Sequence, residues 1–187
     1  MSKNECKIKD SGNRTEFESG AVRDMKVGKG RCDLLPLSVI SRLIDIFNTA
    51  IPNHKKGKEK VENVDPIMGN ISKYNEHKID IYLYLALVAF CYERYNGDIY
   101  KMVLQLSKHF EEGAKKYGEN NWQKGIPEWS YLDSAVRHYL KWMSYKEFNS
   151  DSELDEPHDR AFVWNIVCLL WTIENRGKID ISLESLL

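Results

Sequence analysis

Three runs in the second half of the chain decide the fold. They read H-F-E-E-G-A-K-K-Y-G-E-N-N-W-Q-K-G (residues 109–125), D-S-A-V-R-H-Y-L-K (residues 133–141) and D-E-P-H-D-R-A-F-V-W-N (residues 155–165). Acids, bases, amides and aromatic rings occur in them at the three- and four-residue spacing of α-helices. The stretch from His109 to Asn165 therefore predicts helices with a polar site between them.

Helical spacing continues on both sides of this stretch and predicts an all-α bundle of about five helices. The predicted helices are residues 37–51, 77–95, 98–117, 130–145 and 157–176. Pro36 suits the first turn of the first helix, and Asp98 can cap the third. The run from Ser130 to Asp133 is a capping-box pattern that opens the fourth. No internal repeat and no run of alternating strands is visible in the sequence.

The chain is long enough, at 187 residues, to form one domain with its own core. Residues 1–19 are polar and predict a disordered arm. Residues 20–187 predict a single α-helical domain. Within it, residues 53–76 hold four lysines before Val61, followed by Pro66 and Gly69. This composition predicts a surface loop or an insertion.

Composition and charge exclude several classes of protein. The net charge is −1, so no global basic field attracts nucleic acid, and nucleic acid is not expected as a partner. The four cysteines are scattered without a CxxC pair, which is typical of reduced intracellular thiols. The polar N-terminus does not resemble a secretory signal, and the most apolar run, residues 79–92, is too short to span a membrane. We therefore expect a cytoplasmic protein.

A basic segment rich in glycine precedes the first helix. It reads G-A-V-R-D-M-K-V-G-K-G-R-C-D-L-L-P (residues 20–36). Glycines allow backbone N–H groups to approach an anion, and Arg23, Lys29 and Arg31 can pair with phosphate. The segment matches neither a Walker A loop nor a GxGxxG loop. A flexible basic loop is the simpler interpretation, and a phosphate-binding loop is the alternative.

Two adjacent acids, Glu111 and Glu112, allow two interpretations. Neighbouring residues on a helix point about 100° apart, so both rarely serve one face. Glu112 shares a face with lysines three and four residues away, which is typical of a solvated ion-pair surface. Alternatively, one of the two acids and carboxylates of a facing helix bind Mg²⁺, a cation that prefers oxygen ligands.

The acidic group at Asp155, Glu156 and Asp159 opens the last predicted helix. The helix dipole stabilises acids at this position and explains them without any ligand. The dipole does not explain Asn165, an amide among apolar residues, which needs a hydrogen-bond partner. His158 lies seven residues before it. These residues therefore remain candidates for a site.

Aromatic and amide side chains follow the 98–117 helix at Tyr117, Asn121 and Trp122. A nucleobase binds by stacking on a ring and by hydrogen bonds to its edge, so these residue types fit a base. Lys116 and Lys124 would then contact phosphate. Loop packing and complementation of the helix dipole are the alternatives.

A second polar stripe follows the 130–145 helix. Asp133, Arg137 and Lys141 lie four residues apart, as in a surface ion-pair ladder. Beside a phosphate, Arg137 and Lys141 would instead neutralise charge, and His138 would bind phosphate or move a proton. A hydrogen-bonded core histidine is the alternative for His138.

These motifs resemble those of the phage and prophage family described as dATP/dGTP diphosphohydrolase, N-terminal domain. Two further runs near the start of the chain share the resemblance, S-G-A-V-R-D and G-K-G-R-C-D-L-L-P. The resemblance covers roughly residues 18–36 and 98–175. It implies hydrolysis of a purine deoxynucleoside triphosphate to monophosphate and pyrophosphate, in the cytoplasm of a phage's or prophage's bacterial host. Related all-α pyrophosphohydrolases of the MazG type are oligomers. Together with five tryptophans and ten tyrosines, this predicts a homo-oligomer.

The resemblance also implies a set of site residues. The implied Mg²⁺ ligands are Glu111, Glu112, Asp155 and Asp159. The implied catalytic residues are Glu112, His138 and His158. The implied nucleotide-binding residues are Arg23, Lys29, Arg31, Lys116, Tyr117, Asn121, Trp122, Lys124, Arg137, Lys141 and Asn165.

The sequence departs from its relatives at the metal motifs. MazG-type enzymes carry a Glu-Glu-x-x-Glu helix and a later Glu-x-x-Asp helix, whereas Lys115 stands here at the third acidic position. Two hypotheses follow: a Mg²⁺-dependent pyrophosphohydrolase, or a protein that binds a nucleotide or nucleotide second messenger without cutting it. An oligomeric structural protein is a third reading, but it leaves the grouping of Arg137, His138, His158 and Asn165 without a cause.

Overall fold

The structure, a computed structural model, describes residues 14–24, 27–54, 65–148 and 157–184. Within these ranges the chain forms six α-helices and one two-stranded sheet. The helices are α1 (Leu37–His54), α2 (Pro66–His77), α3 (Ile81–Tyr95), α4 (Ile99–Tyr117), α5 (Glu128–Phe148) and α6 (His158–Glu184). The all-α prediction is confirmed.

Helix α2 corrects the predicted surface loop at residues 53–76. Asp65 caps the helix, since its Oδ1 accepts hydrogen bonds from the backbone N–H of Ile67 at 2.9 Å and of Met68 at 3.3 Å. Pro66 occupies the first helical turn, where its missing N–H costs nothing. The helix buries Ile67, Ile71 and Tyr74. The loop prediction was therefore wrong for residues 66–76, and the lysine run at residues 55–60 lies outside the described residues.

The N-terminal segment contains two short antiparallel strands, β1 (Arg14–Glu16) and β2 (Val22–Asp24). Their register pairs Arg14 with Asp24 and Glu16 with Val22. Part of the predicted arm is thus a strand, and residues 1–13 lie outside the described residues. At the other end of the chain, α6 continues to Glu184, beyond the predicted end at residue 176.

Helix α3 lies at the centre of the core and fixes α5 and α6 beside each other. Its Phe90 ring lies 4.9 Å from the ring of Trp142 on α5 and 4.6 Å from the ring of Phe162 on α6, measured between centroids. Leu83 and Leu87 of the same helix are fully buried. Helix α4 packs on α6, so α4, α5 and α6 together enclose the space described below.

The glycine segment docks on α4. The backbone N–H of Arg31 donates to the carbonyl of Ser107 at 2.9 Å. Gly30 has φ +89°, and a Cβ there would lie 2.2 Å from Ser107 Oγ, so the close approach requires glycine. A short 3₁₀ turn, Cys32–Leu34, then leads into α1. This contact places Leu34 beside α4.

In the described part of the chain, no helix combines the length and the apolar character needed to cross a membrane.

Candidate functional site

A cavity of about 310 Å³ opens between α4, α5 and α6. Leu34 and the 118–126 segment complete its wall. Aromatic rings, amides and hydroxyls dominate its lining, with Phe110, Tyr117, Trp122, Tyr131, Trp164, Asn120, Asn121, Asn165, Ser130 and Ser134. Among the described residues that line it, none is Lys, Arg, His, Asp or Glu. The cavity therefore suits a flat, uncharged group.

The aromatic wall is held in place from both sides. The ring of Trp122 meets Phe110 edge-on at 5.5 Å and Trp171 at 4.8 Å between centroids. The Tyr131 hydroxyl donates to the carbonyl of Trp122 at 2.7 Å, which ties the 118–126 segment to α5. Burial raises the pKa of Tyr131, so the phenol keeps the proton that it donates.

The floor of the cavity is open because α4 carries small residues there. Gly113 and Ala114 line the cavity, and a Cβ built on Gly113 would meet nothing within 4 Å. Gly118 ends the helix, and its backbone N–H donates a hydrogen bond to the carbonyl of Ala114 at 3.0 Å. Asn120 then adopts a left-handed conformation with φ 57°, and this turn carries Asn121 and Trp122 to the cavity.

Three polar groups of the lining have hydrogen-bonding capacity that the described residues do not use. Asn165 donates its Nδ2 hydrogen to the carbonyl of Ala161 at 2.8 Å, which in this orientation leaves its Oδ1 as an acceptor. The Nε1 groups of Trp122 and Trp164 are buried without a hydrogen-bond partner. A buried donor without a partner costs about 1–3 kcal/mol. Asn165 Oδ1 is therefore the group of this set that can meet a ligand in the cavity, whereas the two indole N–H groups are closed off from it.

Charged residues meet beside the cavity, where α4 contacts α6. Arg160 Nη2 lies 3.2 Å from Glu112 Oε1, and His109 Nδ1 lies 3.9 Å from Glu112 Oε2. The His109 ring is 5.6 Å from that of Trp164, which lines the cavity. Sequence analysis missed Arg160. The sequence signal for Arg160 is its position four residues before Trp164, on the same face of the helix. Its ion pair is not predictable from local spacing, because its partner Glu112 is distant in sequence.

The two histidines predicted to be catalytic do come together. His138 Nδ1 on α5 lies 3.0 Å from His158 Nδ1 on α6, so one of the two nitrogens donates its hydrogen to the other. His158 is buried, and its Nε2 has no hydrogen-bond partner among the described residues. His138 lies one helical turn beyond Ser134, a lining residue. His158 lines a different cavity, together with Arg94 and Asp159, so the pair is not in the wall of the cavity between α4, α5 and α6.

Glu111, a predicted metal ligand, has another role. Its Oε1 accepts from Gly28 N–H at 2.8 Å and from Lys115 Nζ at 2.7 Å, and its Oε2 accepts from Gly30 N–H at 2.8 Å. The Lys115 ammonium and the two backbone N–H groups lower the pKa of Glu111 to about 2. This carboxylate therefore anchors the glycine segment on α4.

The other predicted metal ligands do not converge. Glu112 pairs with Arg160, and Asp159 pairs with Arg94 at 2.9 Å. Asp155 lies outside the described residues. Across the described ranges, no group of three or more His, Cys, Asp or Glu side chains is placed as metal ligands would be. Among the described residues, the predicted ligands therefore do not form a metal-binding group of their own.

Four predicted nucleotide-binding residues are brought together in the cavity lining, namely Tyr117, Asn121, Trp122 and Asn165. Lys116 lies close by, with its Nζ 4.9 Å from the centroid of the Tyr117 ring.

The remaining predicted nucleotide-binding residues lie outside the cavity lining. Arg31 is held by Asp33 at 2.6 Å and Glu119 at 2.7 Å. Arg137 pairs with Asp133 on an exposed face of α5. This agrees with the interpretation of these two residues as part of a surface ion-pair ladder. The others are exposed: Arg23, Lys29, Lys124 and Lys141.

The comparison with protein families gives one match. A family model described as dATP/dGTP diphosphohydrolase, N-terminal, matches residues 72–182. The chain belongs to this family. The matched region holds α3, α4, α5 and most of α6, so the three helices that enclose the cavity belong to the dATP/dGTP diphosphohydrolase domain, whereas Leu34 precedes it. No curated protein and no solved structure matches the chain.

Proposed function

We propose that the cavity binds the base of a purine deoxynucleoside triphosphate and that the protein hydrolyses this nucleotide to monophosphate and pyrophosphate. The observation that carries the proposal is the uncharged, aromatic cavity with an unused acceptor on Asn165, in a chain of the dATP/dGTP diphosphohydrolase family. The family name supplies the substrate class, and the cavity supplies the place for the base.

The lining complements a purine. Stacking on an aromatic ring contributes about 1–3 kcal/mol per base, and Tyr117, Trp122 and Trp164 offer such rings. Asn165 Oδ1 would accept a hydrogen bond from an amino group of the base. A volume of about 310 Å³ is at the lower end of the range for small-molecule pockets.

The phosphates would extend out of the cavity. A buried charge without a partner is costly, and the described lining has no cation to compensate it. The His109 ring lies 5.6 Å from that of Trp164, and Glu112 pairs with both His109 and Arg160 at the contact of α4 with α6. We therefore place the triphosphate on that side of the cavity.

In the proposed reaction, water attacks the α-phosphorus and the bond to the bridging oxygen of the β-phosphate breaks. Pyrophosphate leaves, and the proton of the water must be taken up. The His138–His158 pair shares a proton between two Nδ1 atoms, and it is our candidate for the group that accepts or returns this proton. Mg²⁺ remains a prediction from the resemblance, because Asp155 lies outside the described residues.

Binding without hydrolysis is the second candidate function. Glu111, Glu112 and Asp159 each pair with a cation, and they do not form a cluster. That arrangement favours a protein that holds a nucleotide without cutting it. A nucleotide ligand is common to both candidates. A homo-oligomer remains a prediction in either case.

Incubation of the purified protein with each of the four dNTPs, with and without Mg²⁺, tests both candidates. Chromatography should show purine monophosphate and pyrophosphate. Calorimetry that shows binding of a purine nucleotide recovered intact would select the second candidate. Absence of both binding and product for every nucleotide would contradict both.

Matched tryptophan variants test whether the cavity is the site. Trp122→Ala removes a wall, and we expect it to weaken binding at least about tenfold, which is about 1.4 kcal/mol. Trp129→Ala is the control, since Trp129 is 72% exposed outside the cavity. Asn121→Ala tests the same wall with a smaller change to the core. Equal binding by wild type, Trp122→Ala and Asn121→Ala would show that the base binds elsewhere.

A further inference from the structure

We infer that Arg160 is the residue that receives the nucleotide's phosphates, and that it exchanges its ion pair with Glu112 for phosphate oxygens when the nucleotide binds. This inference rests on the proposed function and adds to it a phosphate-binding residue.

The position of Arg160 is the first support. It lies in the first turn of α6, one helical turn before Trp164, which lines the cavity. Its partner Glu112 directly precedes Gly113, which lines the cavity from α4. The ion pair therefore bridges α4 and α6 at the edge of the space that would hold the base. The triphosphate of a nucleotide whose base occupies the cavity would then lie next to this edge.

The environments of three other cations are the second support. Arg31 is held by two carboxylates, and Lys115 is held by the buried Glu111. Arg137 lies on an exposed face of α5 with its side chain 53% exposed. The Arg160 side chain is only 15% exposed, so its charge is less screened by water than that of an exposed residue.

The geometry of the Arg160 pair is the third support. Among the described residues, Glu112 is the one carboxylate within 4.0 Å of the Arg160 guanidinium, and they are 3.2 Å apart. A guanidinium has several N–H donors in a planar fork and binds phosphate through two of them. The Glu112 side chain is half-exposed, so it can turn into solvent. A phosphate would displace it, because the two anions repel each other.

Paired ligands separate this role from a structural one. Binding of deoxyadenosine and of dATP is measured by calorimetry without Mg²⁺ for wild type, Arg160→Ala, Arg160→Lys and Arg42→Ala. We expect Arg160→Ala to weaken dATP binding at least about tenfold and to leave deoxyadenosine binding unchanged. Arg160→Lys should recover part of the loss, because a lysine keeps the charge but lacks the fork.

Arg42→Ala is the matched control, because Arg42 also forms ion pairs with carboxylates, Asp80 at 2.8 Å and Glu174 at 3.9 Å, but lies on α1. It should bind both ligands as the wild type does. Glu112→Gln removes the competing charge and should tighten dATP binding a few-fold without changing deoxyadenosine binding. This variant also tests the inference if Arg160→Ala does not fold.

Two results would overturn the inference while the proposed function stands. One is an equal loss of affinity for both ligands in Arg160→Ala, which indicates a structural role. The other is unchanged or weaker dATP binding in Glu112→Gln. Failure of the wild type to bind either ligand is a different result, because it contradicts the proposed function itself.

Discussion

At the scale of single residues, Glu111 shows how a carboxylate can be essential to a site without facing it. Its two oxygens accept hydrogen bonds from two backbone N–H groups of the glycine segment and from the Lys115 ammonium. The segment that it anchors carries Leu34 to the cavity. The ionised form is therefore part of the folded structure, and its loss should be visible in stability.

We expect Glu111→Gln to lower the free energy of unfolding at pH 7 by about 2 kcal/mol. The folded structure lowers the pKa of Glu111 from 4.5 to about 2, which corresponds to a stabilisation of roughly 3 kcal/mol. Lys115 is half-exposed, so water screens part of its interaction with Glu111 and reduces this figure. Because the folded-state pKa is lowered, the stabilisation is present above about pH 4.5 and is lost as the pH falls towards 2. Urea unfolding between pH 7 and pH 3 measures this difference.

Glu93→Gln is the control for this measurement, since Glu93 forms an exposed ion pair with Lys146. Exposed pairs contribute about 0–1 kcal/mol, so its effect should be small. A difference in the free energy of unfolding between wild type and Glu111→Gln that stays constant from pH 7 to pH 3 would contradict the role of Glu111 as an ionised anchor.

Single residues also show which parts of the site the sequence could predict. Tyr117, Asn121 and Trp122 were predicted together because they follow one helix end within a few positions. The partners of Glu111 were not predicted, because Gly28 and Gly30 lie 83 and 81 residues away. Local spacing carries no information about such contacts. The Glu112–Arg160 pair was missed for the same reason.

At the scale of elements, α4 determines the shape of the cavity. Its predicted range was accurate because both ends carry local signals. The Asp98 side chain accepts from Lys101 N–H at 2.9 Å at the start, and Gly118 follows the last residue. Local signals do not predict helix α2, because Pro66 and Gly69 favour a loop, although a proline after a capping aspartate also begins helices.

Gly113 of α4 allows stability and binding to be separated. A glycine inside a helix costs about 1 kcal/mol relative to alanine, and a Cβ at Gly113 meets nothing within 4 Å. Gly113→Ala should therefore raise the free energy of unfolding by about 0.5–1 kcal/mol. Gly113→Leu should keep a helical gain but fill the cavity and weaken purine nucleotide binding at least about tenfold.

Denaturant unfolding and calorimetry on both variants measure the two effects. The alanine variant serves as the control, because it makes the same change to the helix with less added volume. Wild-type affinity in Gly113→Leu would show that the base does not occupy this cavity.

At the scale of the whole molecule, large apolar side chains remain on the surface. Leu37, Tyr100, Leu104, Trp129 and Leu140 are each more than half exposed. Burying part of this area in an interface would be favourable, which is consistent with the homo-oligomer expected from the sequence. We predict a mass by light scattering that is a multiple of 21.8 kDa at micromolar concentration. A mass near 21.8 kDa would contradict this prediction.

The cavity wall has two sources in the chain, and this has a consequence for how its selectivity can change. The helices lie in the family region, residues 72–182, whereas Leu34 comes from a segment that precedes it. A substitution at residue 34 alters the outline of the cavity without changing any residue of the family region. Under the proposed function, ligand preference would therefore change by mutation or exchange of one short segment that precedes the family region.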